Sequence, residues 1–236
     1  SLVNVDCHVA CRLPSTYGGT HQLHLYTNNV DKEEHMAIVF GPFYSKSLNT
    51  FRNDDDENKR RMRGAQSHTS TTPTFAEPPL VRIHSCCFTG ETLGSSRCDC
   101  AEQLQVAMKK MSVENGIIVY LQQEGRGIGL LDKLYAYNLI DMGHDTLSAN
   151  IALGHPPDAR TYHVAAAILK DFGIEKVRLL TNNPNKIQQL QVDGIDIVER
   201  VSMVPESWNS KTHALEDRDE YLVTKVQRMG HVLDIP

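Results

Sequence analysis

Apolar residues recur at every second position of Val5-Asp6-Cys7-His8-Val9-Ala10-Cys11-Arg12-Leu13, the period of a half-buried strand. The alternation returns at Leu23, Leu25 and Thr27 after the Gly18-Gly19 pair. The run Met36–Phe40, closed by Gly41-Pro42, completes a hairpin plus a third antiparallel strand. Cys7 and Cys11 fall on one face of the first strand and are expected in the core as small apolar residues.

Residues 44–79 break the pattern. They run through Ser/Asn-rich sequence, an acidic block Asp54–Glu57, a basic block Lys59–Arg63 and a Ser/Thr/Pro tail ending at Pro78-Pro79. Such composition predicts a flexible polar insertion with no core of its own. Its basic block reads as a solvated face flanked by its own counter-charges rather than a phosphate patch. Order resumes at Leu80. Val81 and Ile83 alternate with Arg82 and His84, a short strand that sends both basic side chains to one side. Leu104, Ala107, Met108 and Met111 recur at helical spacing up to Gly116, the expected C′ residue. Ile117–Leu121 is a buried strand. The glycine-rich turn Gln122–Gly129 leads into a helix with Leu130, Leu134 and Tyr137 on one stripe. A second helix is expected from about Arg160 through Val164, Ile168 and Phe172. A strand at Val177–Leu180, a helix opened by Pro184 and ended at Gly194, a strand at Ile195–Val201 and a helix over Tyr221–Met229 follow. The fold class expected is α/β (α+β), a β-rich N-terminal part packed on a mixed α/β layer in a single domain.

Composition narrows the function classes. The chain has 236 residues, 40% of them apolar and 22% charged, with a net charge of -5. That is enough for a large buried core. No apolar run approaches the ~20 residues of a membrane span, so no membrane partner and a cytoplasmic location are expected. A mildly acidic chain lacks the bulk positive charge of a nucleic-acid binder, so an anionic ligand must be held by local basic groups. Four of six cysteines, Cys86, Cys87, Cys98 and Cys100, crowd together, which points to metal or catalysis rather than a disulfide framework.

Cys87, Cys98 and Cys100 form C-x10-C-x-C between a strand and a helix, a thiolate set suited to Zn²⁺. Either a water takes the fourth position, as in a catalytic zinc, or Cys86 or His84 closes a structural site. Adjacent Cys86 and Cys87 point oppositely in an extended backbone, which disfavours both binding one ion. Gly125-Arg126-Gly127-Ile128-Gly129 joins a strand to a helix, where backbone N–H groups can receive a phosphate. It fails the dinucleotide fingerprint because position 130 is Leu. The alternative is a plain tight connection. Asp158, before a helix, reads as an N-cap or as a functional carboxylate beside Arg160. Thr181-Asn182-Asn183-Pro184 with Lys186 is a further junction able to meet an anion.

The runs Arg82-Ile-His-Ser-Cys-Cys-Phe-Thr-Gly-Glu-Thr, Ser96-Arg-Cys-Asp-Cys100, Gln123-Glu-Gly-Arg-Gly-Ile-Gly-Leu130, Asp158-Ala-Arg160 and Leu179-Leu-Thr-Asn-Asn-Pro184 together resemble GTP cyclohydrolase II, loosely over 5–40 and closely over 80–203. The resemblance implies a fungal-type monofunctional member with N-terminal strands in 1–43, an insertion at 44–79, a catalytic core at 80–203 and a C-terminal loop and helix in 204–236. It implies a homodimer that opens the imidazole ring of GTP, releases formate and pyrophosphate, and yields 2,5-diamino-6-ribosylamino-4(3H)-pyrimidinone 5′-phosphate for riboflavin biosynthesis. By the same resemblance Cys87, Cys98 and Cys100 hold one Zn²⁺ and Mg²⁺ arrives with the nucleotide. Asp158 is the proton acceptor, Arg160 the group assigned as nucleophile towards the α-phosphate, and Tyr137 a participant in ring opening. Substrate contacts map to Arg82, Ile83, His84, Ser85, Cys86, Gln103, Glu124, Gly125, Arg126, Thr146, Thr181 and Lys186. Cys86 departs from the polar residue, such as Glu, of many members. A guanidinium of pKa above ~12 is a poor nucleophile, so Arg160 as an electrostatic clamp is the alternative role. A paralogue with another product and a non-catalytic nucleotide-binding zinc protein are the competing functions.

Overall fold

The computed structural model describes residues 2–67 and 69–203, and the expected hairpin is present as β1 (Val5–Pro14) and β2 (Thr20–Asn28), with β3 (His35–Phe40) beside it. In β1, Cys7 pairs with Tyr26 but Val9 with Leu25, so His8 is the extra residue of a bulge. One inserted residue exchanges the two faces of a strand. Cys7 is therefore buried while Cys11 turns out to solvent, and Ala10 takes the inward position. The expectation of a core Cys11 fails because strict alternation does not survive the bulge.

β3 pairs antiparallel with β5 (Gly116–Leu121), which runs parallel to β4 (Leu80–Ser85); β4 is parallel to β6 (Lys176–Leu180), and β6 to β7 (Asp196–Val201). The result is one seven-stranded mixed sheet in the order β1-β2-β3-β5-β4-β6-β7. The N-terminal strands thus extend the α/β sheet edge to edge rather than packing on it as a separate part.

From β4 the chain goes to β5 on one side through α4 (Cys100–Glu114), then returns past β4 to β6 through α7 (His163–Asp171). Alternating side chains of β5 serve both layers. Ile117, Val119 and Leu121 join Ile168, Leu169 and Phe172 of the α7 layer, while Ile118 joins Ala107, Met108 and Met111 of α4. Each fully buried Leu, Ile or Phe contributes about 1.5–3 kcal/mol of transfer free energy. α4 ends on Asn115 in the left-handed region (φ 62), and Gly116 opens β5 instead of capping the helix.

Residues 44–79 are not structureless. α1 (Lys46–Asn49) is capped by Ser45 and α2 (Glu57–Met62) by Asp56, each side chain accepting a backbone N–H. Arg63 is buried against Asp55, and Lys59 reaches Asp54 at 3.1 Å, so the acidic block answers the basic one. The Arg63 carbonyl accepts the Ala10 N–H at 2.9 Å, docking the segment on edge strand β1. Leu48 and Phe43 join the α7-side core. Polar residues that satisfy one another hold this segment, which a count of apolar residues does not register.

The remaining elements are α3 (Phe88–Glu91), a 3-10 turn (Glu124–Gly127), α5 (Leu130–Asp141), α6 (Thr146–Ala152) and α8 (Pro184–Val192). α6 has no counterpart among the predicted elements, and α7 begins three residues later than expected. The helix expected over Tyr221–Met229, and the whole of 204–236, lie outside the described residues. Among the described residues no helix is long and apolar enough to cross a membrane.

Candidate active site

β4 and β5 end side by side, at the strand where the connections diverge to opposite faces. In open α/β sheets ligand crevices form outside the carboxyl ends of strands at such a switch point. An open cleft lies here, lined by Ser85 at the end of β4 and Cys86 after it, by Gln123–Arg126 after β5, by the cysteine cluster and by one face of α5.

The Sγ atoms of Cys87, Cys98 and Cys100 lie within 4.8 Å of one another, and Cys87 and Cys98 are 3.6 Å apart. Ligands at a zinc–sulfur distance of ~2.3 Å in a tetrahedral shell sit roughly 3.8 Å apart, so the sulfurs are at coordination spacing. A Cβ on Gly90 would fall 2.9 Å from Cys98 Sγ and 3.3 Å from Cys87 Sγ, so the glycine leaves the cluster its room. The donor set fits zinc. Hydrogen bonds from Cys100 and Cys98, helped by Lys133, hold the Cys87 thiol far below the ordinary range, while the same sharing raises Cys100. The cluster thus favours one thiolate, on Cys87, with Cys98 and Cys100 both pushed up. Cys86 takes no part in it; burial pushes its thiol up to about 12.

Glu124 is fixed by three donors. Its Oε1 accepts from Gly125 N–H (2.9 Å) and Lys133 Nζ (2.6 Å), and its Oε2 accepts from Phe88 N–H (2.7 Å). Gly125 and Arg126 both adopt left-handed backbone (φ 61 and 62). For Arg126, a residue with a Cβ, this costs roughly 1–2 kcal/mol, and such strain concentrates at functional sites.

Asp158 is not an N-cap, since α7 starts at His163. Instead it accepts the Arg160 N–H at 3.0 Å and forms a two-point ion pair with the Arg160 guanidinium. Burial tends to raise its carboxyl pKa, but the Arg160 hydrogen bonds outweigh burial and hold it below the usual carboxylate range. Tyr137 Oη lies 3.2 Å from Thr89 Oγ1, and burial raises its phenol pKa, which keeps it protonated at neutral pH.

The cleft gathers Ser85, Cys86, the three metal-site cysteines, Glu124, Gly125, Arg126, Tyr137, Thr146 and Arg160 of the expected residues. Others stand behind the lining. Arg82 is buried, donating to Leu180 O (3.2 Å) and Gln103 Oε1 (2.6 Å), and burial pulls its pKa down to about 10. Lys186 Nζ donates to Ile83 O at 2.6 Å, and Thr181 Oγ1 accepts the Asn183 N–H. His84 Nε2 meets Glu91 at 2.8 Å.

Sequence reasoning passed over two residues here. Glu91, inside the quoted Cys-Phe-Thr-Gly-Glu run, also accepts from Cys87 N–H (2.9 Å) and Tyr120 Oη (2.6 Å), bracing the end of β4 against β5. Lys133 is only 9% exposed and its Nζ reaches Cys87 Sγ at 3.2 Å. The inward stripe of α5 is Lys133, Ala136, Tyr137 and Ile140, whereas Leu130 and Leu134 are exposed. The i, i+3, i+4, i+7 spacing from Lys133 was the available signal, masked by its charge.

Residues 6–202 match the family model of GTP cyclohydrolase II. The chain is 44% identical to a GTP cyclohydrolase-2 of Meyerozyma guilliermondii, over 100% of this chain and 81% of that protein. It is 41% identical to the GTP cyclohydrolase-2 of Saccharomyces cerevisiae, over 98% of this chain and 81% of the relative. It is also 41% identical to the riboflavin biosynthesis protein RibBA of Bacillus subtilis, over 97% of this chain but only 48% of that longer protein.

Proposed function

The chain belongs to the GTP cyclohydrolase II family, an enzyme family of riboflavin biosynthesis, and we propose that it opens the imidazole ring of GTP with zinc held by Cys87, Cys98 and Cys100, releasing formate and pyrophosphate. The product proposed is 2,5-diamino-6-ribosylamino-4(3H)-pyrimidinone 5′-phosphate. One observation carries the reading: three sulfurs at coordination spacing open onto the same cleft as Arg160, which Asp158 holds, Tyr137 and the strained Arg126 turn.

Zinc, when bound, supplies a Lewis acid that lowers the pKa of water towards ~7 for attack on C8. The protein's own groups do the rest. Glu124 keeps one open acceptor site on Oε2 after its three bonds, enough to receive a guanine N–H that adenine does not offer. Arg126 presents its charge to the phosphates, and Arg82 and Lys186 add positive potential from behind the lining. Arg160 is held by Asp158 on two points, which keeps the guanidinium charged. That favours a clamp on the α-phosphate over attack by an uncharged guanidine. Asp158 remains ionised and available as a proton acceptor, and the protonated Tyr137 phenol is a hydrogen-bond donor to the opening ring. Among the described residues the cysteine trio is the one group with metal-holding geometry, so Mg²⁺ is proposed to ride on the nucleotide. A homodimer is proposed as well.

The test is incubation of the full chain with GTP labelled at C8, Mg²⁺ and Zn²⁺, assayed jointly for formate and pyrophosphate. One equivalent of each per GTP consumed is the expected result. Label retained in the nucleotide product would replace this reading with that of a paralogue acting on the same ring.

A further inference from the structure

Four basic side chains line the cleft: Arg97, Arg126, Lys133 and Arg160. Arg160 pairs with Asp158 and Arg97 with Asp141 (2.6 Å). Lys133 differs in kind, because its single ammonium spans a sulfur of the metal cluster (Cys87 Sγ, 3.2 Å) and a carboxylate of the substrate turn (Glu124 Oε1, 2.6 Å). Its stem has little freedom. A Cβ on Gly125 would lie 3.0 Å from Lys133 Cβ, so turn and helix are already in contact.

We propose that Lys133 is a positioning residue that ties the thiolate cluster to Glu124, balancing the negative charge of both with one ammonium. The inference rests on the zinc-dependent reading above. Three thiolates around a dication leave a net charge of about -1, and Glu124 adds a second negative charge in the same half-buried pocket. Donation to Cys87 Sγ draws electron density from a metal ligand, as outer hydrogen bonds to ligands do, and leaves the metal a stronger Lewis acid. Donation to Glu124 Oε1 occupies that oxygen together with Gly125 N–H and fixes which acceptor site stays open for substrate. One residue therefore sets both the electronics of the metal centre and the register of the base.

The test compares full-length wild type with Lys133→Met and Lys133→Arg, each loaded with Co²⁺ in place of Zn²⁺, by the sulfur-to-cobalt charge-transfer absorption and by KM and kcat for GTP. In Lys133→Met the cobalt band moves to lower energy, because Cys87 has lost its donor. KM for GTP rises about tenfold or more as Glu124 loses its tether, and kcat falls as well. Lys133→Arg restores the band and most of KM. If Lys133→Met does not fold, Lys133→Gln, which keeps a donor without the charge, is expected to give an intermediate band. A wild-type band in either folded uncharged variant overturns the proposal, since a purely structural lysine would lower the melting temperature and leave the spectrum alone. Wild type that binds cobalt yet releases no formate from GTP would overturn the reaction assignment instead, with the spectral comparison still decisive for Lys133.

Discussion

Gly90 shows how one absent atom shapes the site. It sits in α3 without positive φ, so alanine there suits the backbone and even the helix. The added methyl meets Cys98 Sγ at 2.9 Å, closer than real Cβ contacts come, and the sulfur must shift. Gly90→Ala should therefore remain folded while its zinc affinity falls about tenfold or more, roughly 1.4 kcal/mol, as read by competition with a chelator. Unchanged affinity would mean that the cluster adapts freely and that the glycine is there for another reason. The sequence left an N-cap as an adequate account of Asp158; the structure removes it, because the next helix begins five residues on and the carboxylate goes to Arg160. Nothing in the residue types announces that Arg126 is left-handed, since φ is set by the turn that Gly125 starts.

Among the elements, period-2 and period-3.6 patterns and short apolar runs gave β1 to β7, α4, α7 and α8, because most of these bury at least one apolar face, although the bulge at His8 breaks the alternation of β1. They failed wherever burial was not apolar. Lys133 stands on the inward face of α5 and three leucines stand outward, so hydrophobicity chose the wrong stripe. α6 is a two-turn helix capped by Asp145, and its inward residues are too few to make a period. The docked 44–79 segment is held by Asp55, Arg63 and backbone bonds that a composition argument treats as solvated. The cysteine trio, by contrast, was legible from spacing, since a donor set suited to a metal shows in residue type. Gly64 tests the docking. Its φ is +77, and a Cβ there would lie 2.1 Å from the Ala10 carbonyl oxygen, so no side-chain adjustment can relieve the clash. Gly64→Ala should lift the α2 segment from β1 while the sheet persists, seen as hydrogen exchange rising at Ala10 and over 52–66 ahead of β4 and β5. Uniform protection in the variant would contradict the docking described.

Stability of the whole molecule should carry a pH signature from His24. The ring is 3% exposed, packs edge-on to Phe172 at 5.1 Å, and has no partner at Nδ1; burial lowers its pKa from 6.5 to about 4. The unfolded chain therefore takes up this proton before the folded one does. The contribution is complete above pH ~6.5 and is lost progressively down to about 4, up to about 3 kcal/mol in all. His21 and His84 are shifted in the same direction, so His24→Phe should reduce the steepness of urea stability against pH in that window without abolishing it. Leu131, Tyr135, Met142 and Ile151 stand 66%, 51%, 77% and 61% exposed on and just beyond the neighbouring helices α5 and α6, whose inner residues Tyr137 and Thr146 line the cleft. Large apolar side chains gathered on one pair of helices favour burial against a second surface. If the proposed homodimer uses these residues, Leu131→Asp places a charge among them and converts the dimer to a monomer by light scattering at micromolar concentration. Because α5 carries Lys133 and Tyr137 on its opposite side, turnover per chain should fall with dissociation and recover as protein concentration is raised. A variant that stays dimeric would move the interface elsewhere on the molecule.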